Sequence, residues 1–383
     1  MNPHKNTKSF VICAISTMAI LAAQAGTAQM DKGTTSSDRS GPPNRKVSAW
    51  RPKERWRGFN LSEMFAWTPE RKKPAYQESD FRFLRKHGFN FVRLPIDYRF
   101  WTHGGDWTQI DESWVRPVDD AVALGEKYGV HVQINLHRAP GYCVNRGESE
   151  PKKLFGEGRE EARKVFAQHW GFLAKRYKDI PNARVSFNLV NEPPGISEAE
   201  YAAAMKDAIA AIRAASPDRL IFSDGRAWGK QPTYLLADDP YHAQAMRGYQ
   251  PMTVSHYKAN WVRQDPKAKP AWPPAAADAK AKYDDPGLDW LYVHAFKAWD
   301  ELAAMDVLVM MGEFGVFNRT PHDITLAVLE DYLKLLRERN WGWALWDLRG
   351  TFGPLDSGRT DVKYENCDGH QLDRRMLELL KRY

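Results

Sequence analysis

The sequence predicts a (β/α)8 barrel, on three observations. Eight short β-rich runs recur along the chain, helical stripes fall between them, and polar residues gather at the runs' C-terminal ends. The runs are Trp56–Leu61, Phe89–Pro95, Val130–His137, Val185–Asn191, Leu220–Ser223, Met252–His256, Val307–Glu313 and Gly342–Trp346. Several are apolar on both alternating sets, as strands buried on both faces are. Tyr201, Met205, Ala208 and Ile212 share one helical face behind a capping box of Ser197 and Glu200. Leu291, Ala295, Ala298, Leu302 and Met305 form a second stripe, and Leu326, Leu329, Leu333 and Leu336 a third. An open doubly wound sheet would carry a Gly-rich phosphate turn after its first strand, and the segment following Leu61 has none.

The barrel is expected over residues 49–383. Residues 1–25 read as a secretory signal peptide: Lys5 and Lys8, an apolar run from Phe10 to Ala23, then Ala23-Gln24-Ala25 as the cleavage site. The alternative, a membrane anchor, needs about 20 apolar residues. Residues 26–48 are polar, rich in Gly, Ser, Thr and Pro, and read as a flexible leader. The Pro-rich stretch Gln264 to Ala277 reads as a long loop. The tail from Gly353 predicts a loop and a closing helix with Leu372, Met376, Leu377 and Leu380 on its buried face.

With 383 residues, 43% hydrophobic and 27% charged, the chain is long enough for one large barrel and too apolar for global disorder. Its formal charge of +7 falls to +5 when Lys5 and Lys8 leave with the signal. The basic residues are scattered among acids, so no nucleic-acid stripe is expected, nor any membrane contact after signal cleavage. Cys13 leaves with the signal. Cys143 and Cys367 could form one disulfide, but a zinc site would need more thiols or clustered His, and no metal or cofactor is expected. The 15 Trp and 15 Tyr exceed what a core needs and suit stacking on flat ligand faces.

In a barrel, strand C-termini carry the chemistry. Here they carry Arg93, Asn135 and His137, Asn191-Glu192-Pro193, His256-Tyr257, Glu313 and Trp346. Any one has a bland reading, as a buried ion-pair partner, a core histidine or a helix cap. All of them at the same end of different strands do not, because charge at the mouth of an apolar barrel is costly unless paired or used. Glu192 and Glu313 lie 121 residues apart, three βα units, which sets them across the mouth on the fourth and seventh strands. Two facing carboxyls suit glycosidic cleavage, one protonating the leaving oxygen and the other attacking the anomeric carbon. Arg93 near Glu313 would keep that carboxylate ionised, and the like charge of Glu313 would hold up the Glu192 proton. Asn191 would hold the sugar 2-hydroxyl, Trp346 would be a pyranose platform, and His137, His256 and Tyr257 would bind hydroxyls or orient the glutamates.

These motifs together resemble glycoside hydrolase family 5, the cellulase family. The resemblance rests on R-L-P at Arg93, His137, N-E-P at Glu192, His256, G-E-F-G at Glu313 and Trp346, over residues 50–383. It implies a (β/α)8 barrel, an acid/base at Glu192, a nucleophile at Glu313, and a retaining cut of a β-linked polysaccharide. The substrate is expected to be β-1,4-glucan, with mannan, xyloglucan or β-1,3-glucan as alternatives. A glycan-binding barrel without catalysis would lack one of the glutamates. The enzyme is expected to be exported and monomeric. One departure stands out: the family's strand 6 pattern is His-x-Tyr, with the Tyr on the nucleophile, whereas Tyr257 directly follows His256 and Lys258 occupies the expected place.

Overall fold

Strands whose residues are apolar on both faces must be covered on both, and a closed ring wrapped by helices achieves this. The computed structural model describes residues 48–65, 76–102, 105–145, 150–265, 267–274 and 282–383. The predicted signal peptide, and the leader up to Val47, lie outside these. The described residues belong to one compact unit, Arg45–Tyr383.

Eight parallel strands form the ring: β1 (Arg57–Asn60), β2 (Phe91–Asp97), β3 (His131–Ala139), β4 (Val185–Asn188), β5 (Ile221–Asp224), β6 (His242–Gly248), β7 (Leu308–Phe314) and β8 (Gly342–Leu345). Each pairs with the next, and β8 pairs back to β1 through Gly58↔Ala344. A small antiparallel hairpin, β9 (Glu365–Cys367) and β10 (His370–Leu372), precedes the last helix.

The helices are α1 (Glu78–Lys86), α2 (Arg116–Tyr128), α3 (Glu160–Arg176), α4 (Glu198–Ala215), α5 (Pro286–Leu291), α6 (Lys297–Ala303), α7 (His322–Glu338) and α8 (Arg374–Arg382). Ser197 caps α4 by accepting from the Glu200 N–H at 3.2 Å. The other half of the predicted box is absent, because the Glu200 carboxylate accepts from Gly156 N instead. A π-helical turn, Tyr292–Phe296, joins α5 to α6. Its extra residue rotates the predicted stripe, so Leu291, Phe296, Trp299 and Leu302 are buried while Ala295 and Ala298 are half-buried. Leu329, Leu333 and Leu336 of α7 are buried, as are Met376, Leu377 and Leu380 of α8.

Two departures matter for the site. No full helix follows β5; residues 226–241 form a loop of short turns instead. The sixth strand is His242–Gly248, not Met252–His256. The latter residues form a helical turn after Pro251, with the Val254 and Ser255 N–H groups donating back to Pro251 O. The two departures share a cause. β6 turns its outer face to the loop, where Gln244 bonds both N–H and C=O of Thr233. A strand covered by a loop keeps a polar outer residue and lacks the apolar signature of its neighbours.

Inside the ring, period-2 alternation stacks a polar layer over an apolar one. Phe91 lies one step below Arg93, Phe222 below Asp224 and Ala245 below Arg247. Trp56 packs beneath, on Phe91 and Phe222.

Candidate active site

Arg93 is the hub. Its side chain is wholly buried, a situation stable only when every donor finds an acceptor. Nη1 donates to Glu313 Oε1 at 2.5 Å and Asn60 Oδ1 at 3.0 Å, Nε to Asn188 Oδ1 at 2.8 Å, and Nη2 to Asn191 Oδ1 at 2.8 Å. One guanidinium thus ties β1, β4 and β7 to a common centre.

Glu192 follows β4 in a left-handed backbone conformation, φ 46°. Such a conformation is strained for a residue with a side chain and must be held from outside. The Glu192 N–H donates to Asp224 Oδ2 at 2.9 Å, its carbonyl accepts from the Tyr142 hydroxyl at 2.7 Å, and the next carbonyl, Pro193 O, accepts from Trp228 N at 2.8 Å. The side chain keeps 17% of its surface open to the mouth.

Glu313, at the end of β7, is 4% exposed. The Tyr249 hydroxyl donates to Oε2 at 3.0 Å. This corrects the reading of strand 6. The family's x-Tyr spacing falls at Arg247-Gly248-Tyr249, at the end of the true β6, with arginine in place of histidine. Tyr257 lies beyond the helical turn, its ring under the Lys258 ammonium at 5.1 Å, and among the described contacts it bonds neither glutamate.

Arg247 stands between the two glutamates. Nε is 3.4 Å from Glu192 Oε1, and Nη2 is 3.3 Å from Glu313 Oε1. Nη2 also donates to Asn191 Oδ1 at 2.9 Å and makes a short ion pair with Asp224 Oδ2. A register shift between Met246 and Arg247 re-aims the side chain there. Asp224, wholly buried, also accepts from Asn188 Nδ2 at 2.9 Å. Two guanidiniums, Arg93 and Arg247, face two carboxylates, Asp224 and Glu313. The cluster is balanced when Glu192 carries its proton.

Accordingly the Glu192 carboxyl is pushed up to about 8. Burial is the largest cause and the Glu313 charge the second, with Asp224 adding and Arg247 and Arg93 opposing. The sequence reading named the Glu313 charge alone; removal from water counts for more.

The remaining predicted residues converge on the same mouth. Trp346, half-buried, is stacked on the His137 ring at 5.4 Å, and Phe65 packs tilted on the same ring at 4.2 Å. Burial and three nearby arginines hold His137 well below its usual value, so it is neutral. Its Nε2 lies 3.3 Å from Asn191 Nδ2. Asn135 braces β4 through Asn188 O at 3.1 Å. His256, lowered to about 4 by burial, bonds Ser255 Oγ at 2.9 Å and packs edge-on to Tyr249 at 5.0 Å. It therefore supports the tyrosine that binds Glu313. Among the described residues both thiols, Cys143 and Cys367, are free. Among the described residues no cluster of three or more His, Cys, Asp or Glu could hold a metal.

Asn60, Asn188, Asp224, Arg247 and Tyr249 were missed by sequence reasoning. Asn60, Asn188 and Asp224 each end a strand, a signal close to the one that found Glu313. Arg247 and Tyr249 were lost with the misplacement of β6.

The family model that matches this chain is Cellulase (glycosyl hydrolase family 5), over residues 45–351. Endoglucanase C of Acetivibrio thermocellus is 24% identical over 325 residues, 80% of this chain and 90% of that protein. A crystal structure of a glycoside hydrolase superposes with a TM-score of 0.78 at 36% identity, covering 86% of this chain and 99% of the other. The endoglucanase Cel5A of Thermotoga maritima shares the fold at 22% identity and a TM-score of 0.65, over 85% of this chain and 96% of its own.

Proposed function

The chain belongs to the cellulase family, glycosyl hydrolase family 5, and is a glycoside hydrolase; from that premise we propose that it is an exported endo-β-1,4-glucanase in which Glu192 is the acid/base and Glu313 the nucleophile. The observation that carries the assignment is the asymmetry of the two carboxyls. Glu192 is pushed towards its protonated form, while Glu313 is gripped by Arg93, Arg247 and Tyr249. The name of the A. thermocellus relative, Endoglucanase C, supports a glucan as the substrate.

In the first step, a lone pair of Glu313 Oε2 attacks the anomeric carbon, and the Glu192 proton passes to the departing glycosidic oxygen as that bond breaks. Among the described residues Oε2 carries only the Tyr249 hydroxyl, whereas Oε1 faces both arginines, so Oε2 is the freer oxygen. In the second step, water attacks the same carbon, gives a proton to the Glu192 carboxylate, and the ester electrons return to Glu313. Asn191 Oδ1 is occupied by two guanidiniums, which turns the amide N–H groups towards His137 and the sugar 2-hydroxyl. Trp346 carries the pyranose face.

Residues 1–25 are a signal peptide and 26–48 a leader in this reading, and the mature barrel acts as a monomer. Stereochemistry tests the mechanism. Proton NMR should show the β-anomer of the product first. Glu313→Ala should be inactive, and azide should restore turnover of an activated aryl glycoside as the α-azide. A first product of α-configuration would remove Glu313 from the nucleophile role.

A further inference from the structure

We propose that Arg247, pinned by Asp224, is a positioning residue for the second chemical step: it holds Glu192 as a carboxylate once Glu313 is esterified. The inference rests on the assignment of Glu313 as nucleophile. It starts from geometry. One guanidinium reaches Glu192 Oε1 through Nε at 3.4 Å and Glu313 Oε1 through Nη2 at 3.3 Å. Its other partner, Asp224, also receives the Glu192 N–H, so the ion pair and the strained backbone of the acid are one assembly.

The charges make this arrangement two-faced. In the free enzyme Arg93 and Arg247 balance Asp224 and Glu313, and Glu192 stays protonated. When Glu313 becomes an ester its charge is gone, and two guanidiniums face Asp224 alone. Glu192 has just given its proton to the leaving oxygen, and its carboxylate now restores the balance. Arg247, released from Glu313, keeps a full charge beside Glu192 Oε1. Hydrolysis follows as water loses a proton to that carboxylate, forms its bond to the anomeric carbon, and the bond to Glu313 breaks with its electrons returning to Oε2.

Among the described residues no other group facing Glu192 makes this switch. Arg93 opposes its protonation less than Arg247 does, and Asp224 works in the other direction. His137 is held neutral, and the Tyr249 and Tyr142 hydroxyls are raised by burial and stay protonated. His256 is neutral and packs on Tyr249 rather than on the acid.

The test is the full-length enzyme with 2,4-dinitrophenyl β-cellobioside, whose leaving group needs little help from an acid. Arg247→Gln should lower kcat by about tenfold or more, the factor that one pKa unit on the base would give. It should lower KM as well, so that kcat falls by more than kcat/KM does. A burst of dinitrophenol should appear, the glycosyl-enzyme should be seen by intact mass, and the acidic limb of kcat should move to higher pH. Arg247→Lys should restore part of kcat. Equal losses in kcat and kcat/KM without a burst, in a variant with native circular dichroism, would overturn the proposal. If Arg247→Gln does not fold, the wild-type enzyme trapped with a 2-fluoro cellobioside decides by crystallography. Arg247 on the Glu192 carboxylate supports the proposal and Arg247 turned away overturns it. Absence of any covalent adduct in the wild type would instead refute Glu313 as the nucleophile.

Discussion

Glu192→Gln should make the protein more stable, and by an amount that depends on pH in a defined way. Glutamine mimics the protonated acid in shape and charge. The unfolded chain ionises Glu192 near 4.5, whereas the folded chain holds its proton up to about 8. Below pH 4.5 both states are protonated and the wild type loses nothing. Between 4.5 and 8 only the unfolded state releases the proton, so wild-type stability falls by about 1.4 kcal/mol per pH unit. Above 8 both states are ionised and the deficit is constant, about 5 kcal/mol as an upper bound from that shift. Water at the open 17% of the side chain reduces this, so a gap of about 2–4 kcal/mol at pH 9 is expected. For a chain of this size that is a few degrees in Tm. Calorimetry of both proteins from pH 4 to 9, at one scan rate, reads it directly. The two Tm values should converge at pH 4, part above 5, and run parallel beyond 8. A gap that does not vary with pH, or a wild type more stable at pH 8, would refute a raised carboxyl at Glu192.

Trp346→Ala should lower kcat/KM by one to three decades, about 1.4–4 kcal/mol of transition-state stabilisation. The fold should survive on the buried Trp343 and Leu345, and an unchanged kcat/KM in a folded variant would place Trp346 outside the site. Tyr249→Phe removes the hydroxyl from Glu313 Oε2 and should lower kcat/KM by about tenfold, a hydrogen bond to a charged group contributing roughly 1.5–3 kcal/mol. Tyr257→Phe, measured beside it, should be near neutral. Mass spectrometry of the exported chain should find residues 1–25 removed, and retention of Phe10 would end the signal-peptide reading.

The barrel was legible because several strands announce themselves by apolar runs buried on both faces, with helical stripes between them. The site was legible where a chemical residue sits in or just after such a run, as Arg93 does inside β2, Glu313 near the end of β7 and Glu192 shortly after β4. The sixth strand failed on both counts. His242-Ala243-Gln244-Ala245-Met246-Arg247-Gly248 has no β-branched residue, and Gln244 points at a loop rather than a helix. The nearby Thr253 and Val254 gave a stronger strand signal, but the turn after Pro251 overrides it. With β6 misplaced, Tyr249 and Arg247 fell outside every predicted strand. The π-helical turn was illegible for a different reason: an extra residue in a helix changes which side chains face inward without changing composition.

The pairing of β8 with β1 has a consequence in time. Gly58 and Ala344 lie near opposite ends of the folded unit, and no edge is sealed until they meet. Thermodynamically the long span matters little, since each doubling of a closed loop costs only about 0.6 kcal/mol. Kinetically it matters a great deal, because contacts this distant in sequence form last and slowly. Until they form, β1 and β8 each present an unpaired row of backbone N–H and C=O groups, ready to join another chain. A chain cut short before Gly342 would carry that defect permanently. Such truncations should collect as insoluble β-rich material, even though both glutamates and most of the helical jacket are still encoded.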